Sequence, residues 1–313
     1  MSLKHHVKRL MRQTFEVAQQ FKVDILPRHF YSEIPSIRQL RSTQAWRRPR
    51  NMSHITGASL ESQQSFVASC TEGLAASMTS GSLHRRACEM NGLSEGFGSI
   101  EADFLYCFIR SRRPPCIVQI GCGVSTAICM LAAKDAGYAP EIVCIEPYPT
   151  PFLIQQAEAG ALRLIVEKYE DTQQPIAEMV AGGGLFFVDS THTLGPAGEV
   201  THIICETLPT LPSGTWVHFH DILLPYDYSP DILTSELFFC HETALLHAFL
   251  INNNRFSIAA SLSMLHHASP GELAECLPNY RAGKFDQGLR LTAGDHPSSI
   301  YLRIHEPGES AEI

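Results

Sequence analysis

Four short stretches hold residues whose types and spacing could do chemistry. The first is Val118-Gln119-Ile120-Gly121-Cys122-Gly123-Val124-Ser125-Thr126, an apolar run broken by two glycines before a helical pattern resumes. Glycines at 121 and 123 permit a tight strand-to-helix turn and let a ligand approach the backbone closely. The helix behind them would point free N–H groups at a carboxylate or phosphate, with Ser125 and Thr126 adding hydroxyls. The second is Glu146, which closes the next apolar run 23 residues after Gly123. An acid there can accept both hydroxyls of a ribose, so the pair predicts a nucleoside-containing cofactor. The third and fourth are Phe187-Val188-Asp189-Ser190-Thr191-His192 and Val217-His218-Phe219-His220-Asp221-Ile222. Both close further apolar runs, so their acids and histidines are expected at one mouth. Charge gathered there needs pairing, and a divalent cation would supply it. Asp189 could equally hydrogen-bond the cofactor or order a loop, and His218, deeper in its strand, reads as a satisfied core histidine.

Such residues need a frame that brings strand ends together. Apolar runs at 116–120, 142–146, 162–166, 185–189 and 215–219 alternate with helical stretches near 124–134, 151–159, 173–181 and 198–209. A long apolar helix at 234–251 precedes two last strands, 256–260 and 299–304. Short apolar strands alternating with helices predict a doubly wound, mostly parallel seven-stranded α/β sheet. Ligands bind such sheets beyond the carboxyl ends of the strands. Upstream, residues 4–22 read as a helix ended by Pro27, and 28–60 as irregular. The Ser/Ala-rich 61–90 also reads as helical, and a better helix runs from Gly98 to Pro114-Pro115. The expected division is a mostly helical extension at 1–90, a lid or an oligomer interface, and a cofactor-binding domain at 91–313.

What is missing narrows the cofactor. Thr126, in the run GCGVST, stands where a dinucleotide fingerprint wants a third glycine, which counts against NAD and FAD. No phosphate-loop lysine motif indicates ATP chemistry. On these residues the stretch from about 97 to 304 resembles the class I S-adenosylmethionine (SAM) dependent methyltransferases. The resemblance implies that Gln119, Gly121, Cys122, Gly123, Ser125 and Thr126 form the loop holding the methionine part of SAM. Gln119 replaces an acid usual in that family. Glu146 would bind the ribose and Asp171, in Glu170-Asp171, the adenine. The strand-end acids resemble those of metal-dependent O-methyltransferases of the catechol and macrocin types. By position Asp189, His220 and Asp221 match ligands of magnesium or another divalent cation, and a histidine at 220 makes a softer ion conceivable. His192 matches the place of a lysine base, so His192 and His220 are the candidate general bases. The strings HFHDILLPYDY and FYSEIPSIRQL (Phe30 to Leu40) resemble a bacterial subgroup, with Tyr226, Asp227 and Tyr228 placed to wall an acceptor pocket. The implied reaction is methyl transfer to an oxygen of a small-molecule or glycan-like acceptor. Two rivals stand beside it: an NAD-binding oxidoreductase, and a non-catalytic glycan- or membrane-associated protein that retains the fold.

Composition bounds these readings. With 313 residues, 44% hydrophobic and 18% charged, the chain can bury a sizeable core. The net charge of −8 is uneven: residues 1–50 hold 11 Lys and Arg against 3 Asp and Glu, leaving −16 on the remainder. An acidic body disfavours a nucleic-acid partner. The basic N-terminus could touch an anionic membrane or glycan, or form an amphipathic helix packing Val7, Leu10, Val17 and Phe21 on the body. No apolar run is long enough to span a bilayer and no secretory signal is visible, so a cytoplasmic protein is expected. The 10 cysteines include no C-x-x-C pair; free thiols are expected, buried at 107, 116, 122, 129, 144 and 205.

Overall fold

The computed structural model describes residues 3–26, 28–32, 34–43, 48–78, 81–93, 96–228, 230–234, 236–281 and 297–306. Its contacts divide the chain into two units, Met1–Ser42 and Thr43–Ile313. The first carries helices α1 (Leu3–Gln20) and α2 (Ile37–Ser42). Helical spacing of apolar residues gives α1 its amphipathic character, yet Leu10, Val17 and Phe21 are exposed. The helix ends at Gln20, with Lys22 in the left-handed region at φ 58°. Pro27, the expected terminator, lies outside the described residues.

The second unit opens with α3 (Leu60–Thr71), α4 (Ala75–Met78), α5 (Ser82–Met90) and α6 (Ser99–Arg112). Strands and helices then alternate: β1 (Cys116–Ile120), α7 (Val124–Asp135), β2 (Glu141–Ile145), α8 (Pro151–Glu158), β3 (Arg163–Ile165), α9 (Ile176–Met179) and β4 (Leu185–Val188). After α10 (Glu199–His202), a π turn and β5 (Trp216–Phe219) come α11 (Pro230–Thr234), α12 (Glu242–Leu250), β6 (Phe256–Ser261), α13 (Leu262–Ala268), α14 (Pro270–Cys276) and β7 (Ile300–Ile304). The sheet has seven strands in the order β3-β2-β1-β4-β5-β7-β6, parallel except where β7 inserts antiparallel between β5 and β6. This is the seven-stranded α/β class expected from the sequence.

Side chains alternate between two apolar layers, as the strand period requires. Ile117, Leu185 and Phe187 face the layer with Phe66, Phe104 and Phe108, while Val118, Phe186 and Val188 face the other. Because α3 and α5 contribute Phe66, Val67, Cys70, Leu83 and Ala87 to the first layer, residues 60–90 lie inside the compact unit. The boundary falls at 42/43 rather than at 90; the Ser/Ala-rich composition there conceals an apolar face.

Register positions the site. Ile120 pairs with Ile145 and Val188, and Val188 with Phe219, so these parallel strands end level. The next residue of each, Gly121, Glu146, Asp189 and His220, therefore stands along one carboxyl edge. The strand order reverses between β1 and β4, which opens a crevice there.

The expected helix at 234–251 is shorter: α12 starts at Glu242, where the backbone N–H groups of His241 and Glu242 donate to the carbonyl of His192 at 2.9 and 3.3 Å. All ten cysteines are free, but Cys205 is exposed in the π turn and Cys122 is half-buried. Among the described residues, no helix is long and apolar enough to cross a membrane.

Candidate active site

A cleft of about 450 Å³ opens over the level strand ends, a size suited to one nucleotide-like ligand. Gly121, Glu146, Tyr148, Asp189 and Thr191 are among the residues that line it. Glu146 is tied to its surroundings at both oxygens. Cys122 N–H donates to Oε2 at 3.2 Å and Tyr148 N–H to Oε1 at 2.9 Å, leaving further lone pairs for a ligand. Gly121 has φ 74°, and a Cβ there would stand 1.9 Å from the Asp189 carbonyl. That closeness is what lets the β1 loop pass beneath the end of β4.

The other loop residues hold the turn together. Thr126 Oγ1 accepts from Gly123 N–H at 3.2 Å, and buried Gln119 donates to Ser125 Oγ at 3.4 Å. Gln119, Ser125 and Thr126 lie behind the turn and out of the cleft lining, whereas Gly121 and Glu146 face it. Asp171 closes a 3-10 turn at Tyr169–Asp171, and it is the neighbouring Glu170 that lines the cleft.

Beyond Asp189 the cleft meets a cluster of histidines and acids. His220 Nδ1 lies 3.1 Å from Asp189 Oδ1 and 3.7 Å from Asp221 Oδ2. His192 Nε2 lies 3.6 Å from the same two oxygens. On its far side each ring meets a buried carboxylate. His192 Nδ1 donates to Glu242 Oε2 at 2.7 Å, and His220 Nε2 to Glu101 Oε2 at 2.6 Å. Glu101 is itself fixed by Ser298 N–H at 2.9 Å and Ser299 Oγ at 2.7 Å, and Ser190 Oγ donates to Glu242 at 3.2 Å. His192 and Asp221 occupy the left-handed region at φ 58° and 53°, a strained conformation that clusters at functional sites.

The electrostatics follow from this packing. Burial opposes charge on His192, but hydrogen bonds to Asp189 and Glu242 carry its pKa up to about 10. Burial likewise opposes charge on His220, and the Asp221, Glu101 and Asp189 carboxylates raise it well above the usual histidine value. Burial pushes Asp189 upward, yet the two imidazolium rings hold it well below the ordinary carboxylate range. Against the same desolvation, His220 brings Glu101 down to about 2. Burial dominates at Glu242, which is raised. Both rings thus hold a proton more tightly than a free imidazole does. His218 behaves otherwise: burial depresses it to about 3, it bonds Ser299 at 3.0 Å and it stacks on Phe187 at 4.1 Å.

Residues 118–222, from β1 through the end of the β5 motif, match a family model described as a methyltransferase domain. This stretch is similar to a methyltransferase domain. The match covers about a third of the chain and includes Gly121, Glu146, Asp189, His192, His220 and Asp221. No curated protein matches the sequence. Among solved structures, the O-methyltransferase TomG from Streptomyces achromogenes, in complex with SAM, is 15% identical with a TM-score of 0.44, covering 73% of this chain and 90% of that one. The methyltransferase PaMTH1 from Podospora anserina, bound to S-adenosylhomocysteine (SAH), is 17% identical with a TM-score of 0.40, covering 91% and 100%. A branched-chain polyamine synthase from Thermus thermophilus is 16% identical with a TM-score of 0.42, covering 74% and 66%.

Within the matched stretch, the structure brings Asp189, His192, His220 and Asp221 together, as the sequence led one to expect. Glu101 and Glu242 were not foreseen. They lie 119 and 50 residues from the histidines they hold, and no local spacing reports such a contact. The sole signal for Glu101 was an acid on an otherwise apolar helix face. Tyr228 is buried, whereas Asp227 pairs with Arg50 at 2.6 Å, an anchor for the loop after β5.

Proposed function

We propose that the chain transfers the methyl group of SAM to an oxygen of a small-molecule acceptor held over the Asp189/His192/His220/Asp221 cluster. The observation that carries this reading is that Asp189 belongs both to the wall of the nucleotide-sized cleft and to the histidine cluster. When bound, SAM supplies a methyl group already activated on a sulfonium, so the chain needs mainly to align two partners and move one proton. Glu146 binds the ribose hydroxyls, the Gly121–Gly123 backbone passes beneath the amino-acid end, and Glu170 stands where the adenine contact was assigned to Asp171. Asp189 joins the two halves. The cluster orients the acceptor hydroxyl.

A divalent cation is consistent with the same cluster. One ligand atom each from Asp189, His192 and His220 lies within 4.8 Å of the others. Asp189, His192 and His220 would hold the ion, which when bound would lower the pKa of an adjacent hydroxyl.

Calorimetric titration with SAH tests the reading, with NAD as comparison. SAH binding at micromolar concentration, abolished by Glu146→Ala, is the expected result. Binding of NAD with none of SAH would transfer the chain to the oxidoreductase class.

A further inference from the structure

The four polar atoms facing one another in the cluster pose a problem of their own. Glu242 accepts the Nδ1–H of His192 and Glu101 accepts the Nε2–H of His220. In the neutral rings these bonds fix the tautomers, so the nitrogens left facing inward, His192 Nε2 and His220 Nδ1, carry lone pairs. Opposite them are Asp189 Oδ1 and Asp221 Oδ2. Four acceptors thus converge with separations of 3.1 to 3.7 Å along the four nitrogen–oxygen edges. Ligands about 2.0–2.2 Å from a tetrahedral zinc-sized ion stand roughly 3.3–3.6 Å apart. Asp189 stands 3.6 and 3.1 Å from the two rings, close to that spacing, and one ligand atom each from Asp189, His192 and His220 lies within 4.8 Å of the others.

Charge points the same way. Two inner and two outer carboxylates surround two imidazoles, and among the described residues no lysine or arginine ion pair reaches any of the four acids. A positive charge at the centre satisfies all of them at once. Histidine ligands held from behind by carboxylates are a recurrent arrangement at metal centres, where the outer acid sets ring orientation and raises ligand basicity. The same arrangement is present here twice, on rings from different strand ends. His192 and Asp221 both carry a left-handed φ.

We propose that Asp189, His192 and His220 form a two-imidazole, one-carboxylate site for a first-row transition-metal ion rather than magnesium, with Glu101 and Glu242 as its positioning residues. This rests on the methyltransferase reading for its use, though not for its geometry. It makes His192 a ligand rather than the base. Imidazole nitrogen suits zinc, iron, cobalt or nickel, whereas magnesium prefers an all-oxygen sphere with several waters.

The test uses the full chain stripped of metal by chelator and titrated calorimetrically with Mn²⁺, Co²⁺, Zn²⁺ and Mg²⁺, with Co²⁺ binding followed also by its visible spectrum. One ion per chain is expected, with Zn²⁺ and Co²⁺ binding at least tenfold tighter than Mg²⁺ and Co²⁺ showing the absorption of a nitrogen-containing site. Glu242→Gln and Glu101→Gln should each weaken Co²⁺ binding roughly 10- to 100-fold and shift its bands. Asp189→Asn should remove binding. SAH titration of the Glu101 and Glu242 variants, and circular dichroism of Asp189→Asn, check folding, so a loss confined to the metal supports the assignment. Magnesium bound as tightly as Co²⁺, a Co²⁺ spectrum that Glu242→Gln leaves unmoved, or no ion bound by the wild-type chain would each overturn it. Metal binding without SAH binding would leave the site standing and remove the methyltransferase reading.

Discussion

Asp103, on α6, shows how one buried acid can set a pH dependence away from the cleft. It is 1% exposed, and burial raises its pKa to about 6 against a partly offsetting hydrogen bond from Asn279 at 2.7 Å. The folded chain therefore holds this proton more tightly than the unfolded chain does. The stability it contributes is full below the ordinary value of 3.8 and is lost as pH rises through about 6. Asp103→Asn keeps an oxygen to accept from Asn279 and removes the buried charge. The variant should be more stable than wild type by about 2–3 kcal/mol at pH 8 and no different at pH 4, read from urea unfolding at the two pH values. At this scale Gly121, Glu146, Asp189 and His220 were legible because strand ends announce themselves by a break in an apolar run. Glu101 and Glu242 were not, since a carboxylate that meets its histidine only through tertiary packing leaves no local trace.

The elements carry two further predictions. Gly121 is in the left-handed region with a backbone carbonyl where a side chain would go. Gly121→Ala must therefore move the β1 loop or the end of β4, at a cost of at least about 2 kcal/mol. A lower melting temperature with loss of SAH binding is expected; an unchanged melting temperature would mean the two strand ends are not held so close. Phe66, on α3, packs at 5.5 Å from Trp216 and 6.4 Å from Phe108. Phe66→Ala should cost about 3–5 kcal/mol in denaturant unfolding if α3 belongs to the core. A loss below about 1 kcal/mol would fit α3 as part of a detachable lid instead. All seven strands were readable from the sequence within a residue or so at either end, because each is a short apolar run bounded by glycine, proline or charge. The start of α12 was not: apolar residues continue upstream of Glu242, and it is the carbonyl of His192 that receives the first N–H groups of the helix.

At the scale of the molecule, the compact unit begins at Thr43, and its two apolar layers draw their buried residues from Ile55 onward. Removing residues 1–42 is accordingly expected to leave the melting temperature and SAH affinity of the remainder unchanged. A truncated chain that fails to fold would assign the first unit a structural role. The basic charge of the N-terminal 50 residues and the acidity of the rest were fixed by composition, as was the capacity for a large core. Sequence alone also determined the class of sheet, the glycine turn and the acid that follows it, because periodicity and chain breaks are local properties. Strand order, the level register of Ile120, Ile145, Val188 and Phe219, and the two carboxylates behind the histidines were decided only by the tertiary structure. Pairings between residues 50 to 119 positions apart depend on which surfaces pack together, and that is a property of the whole chain.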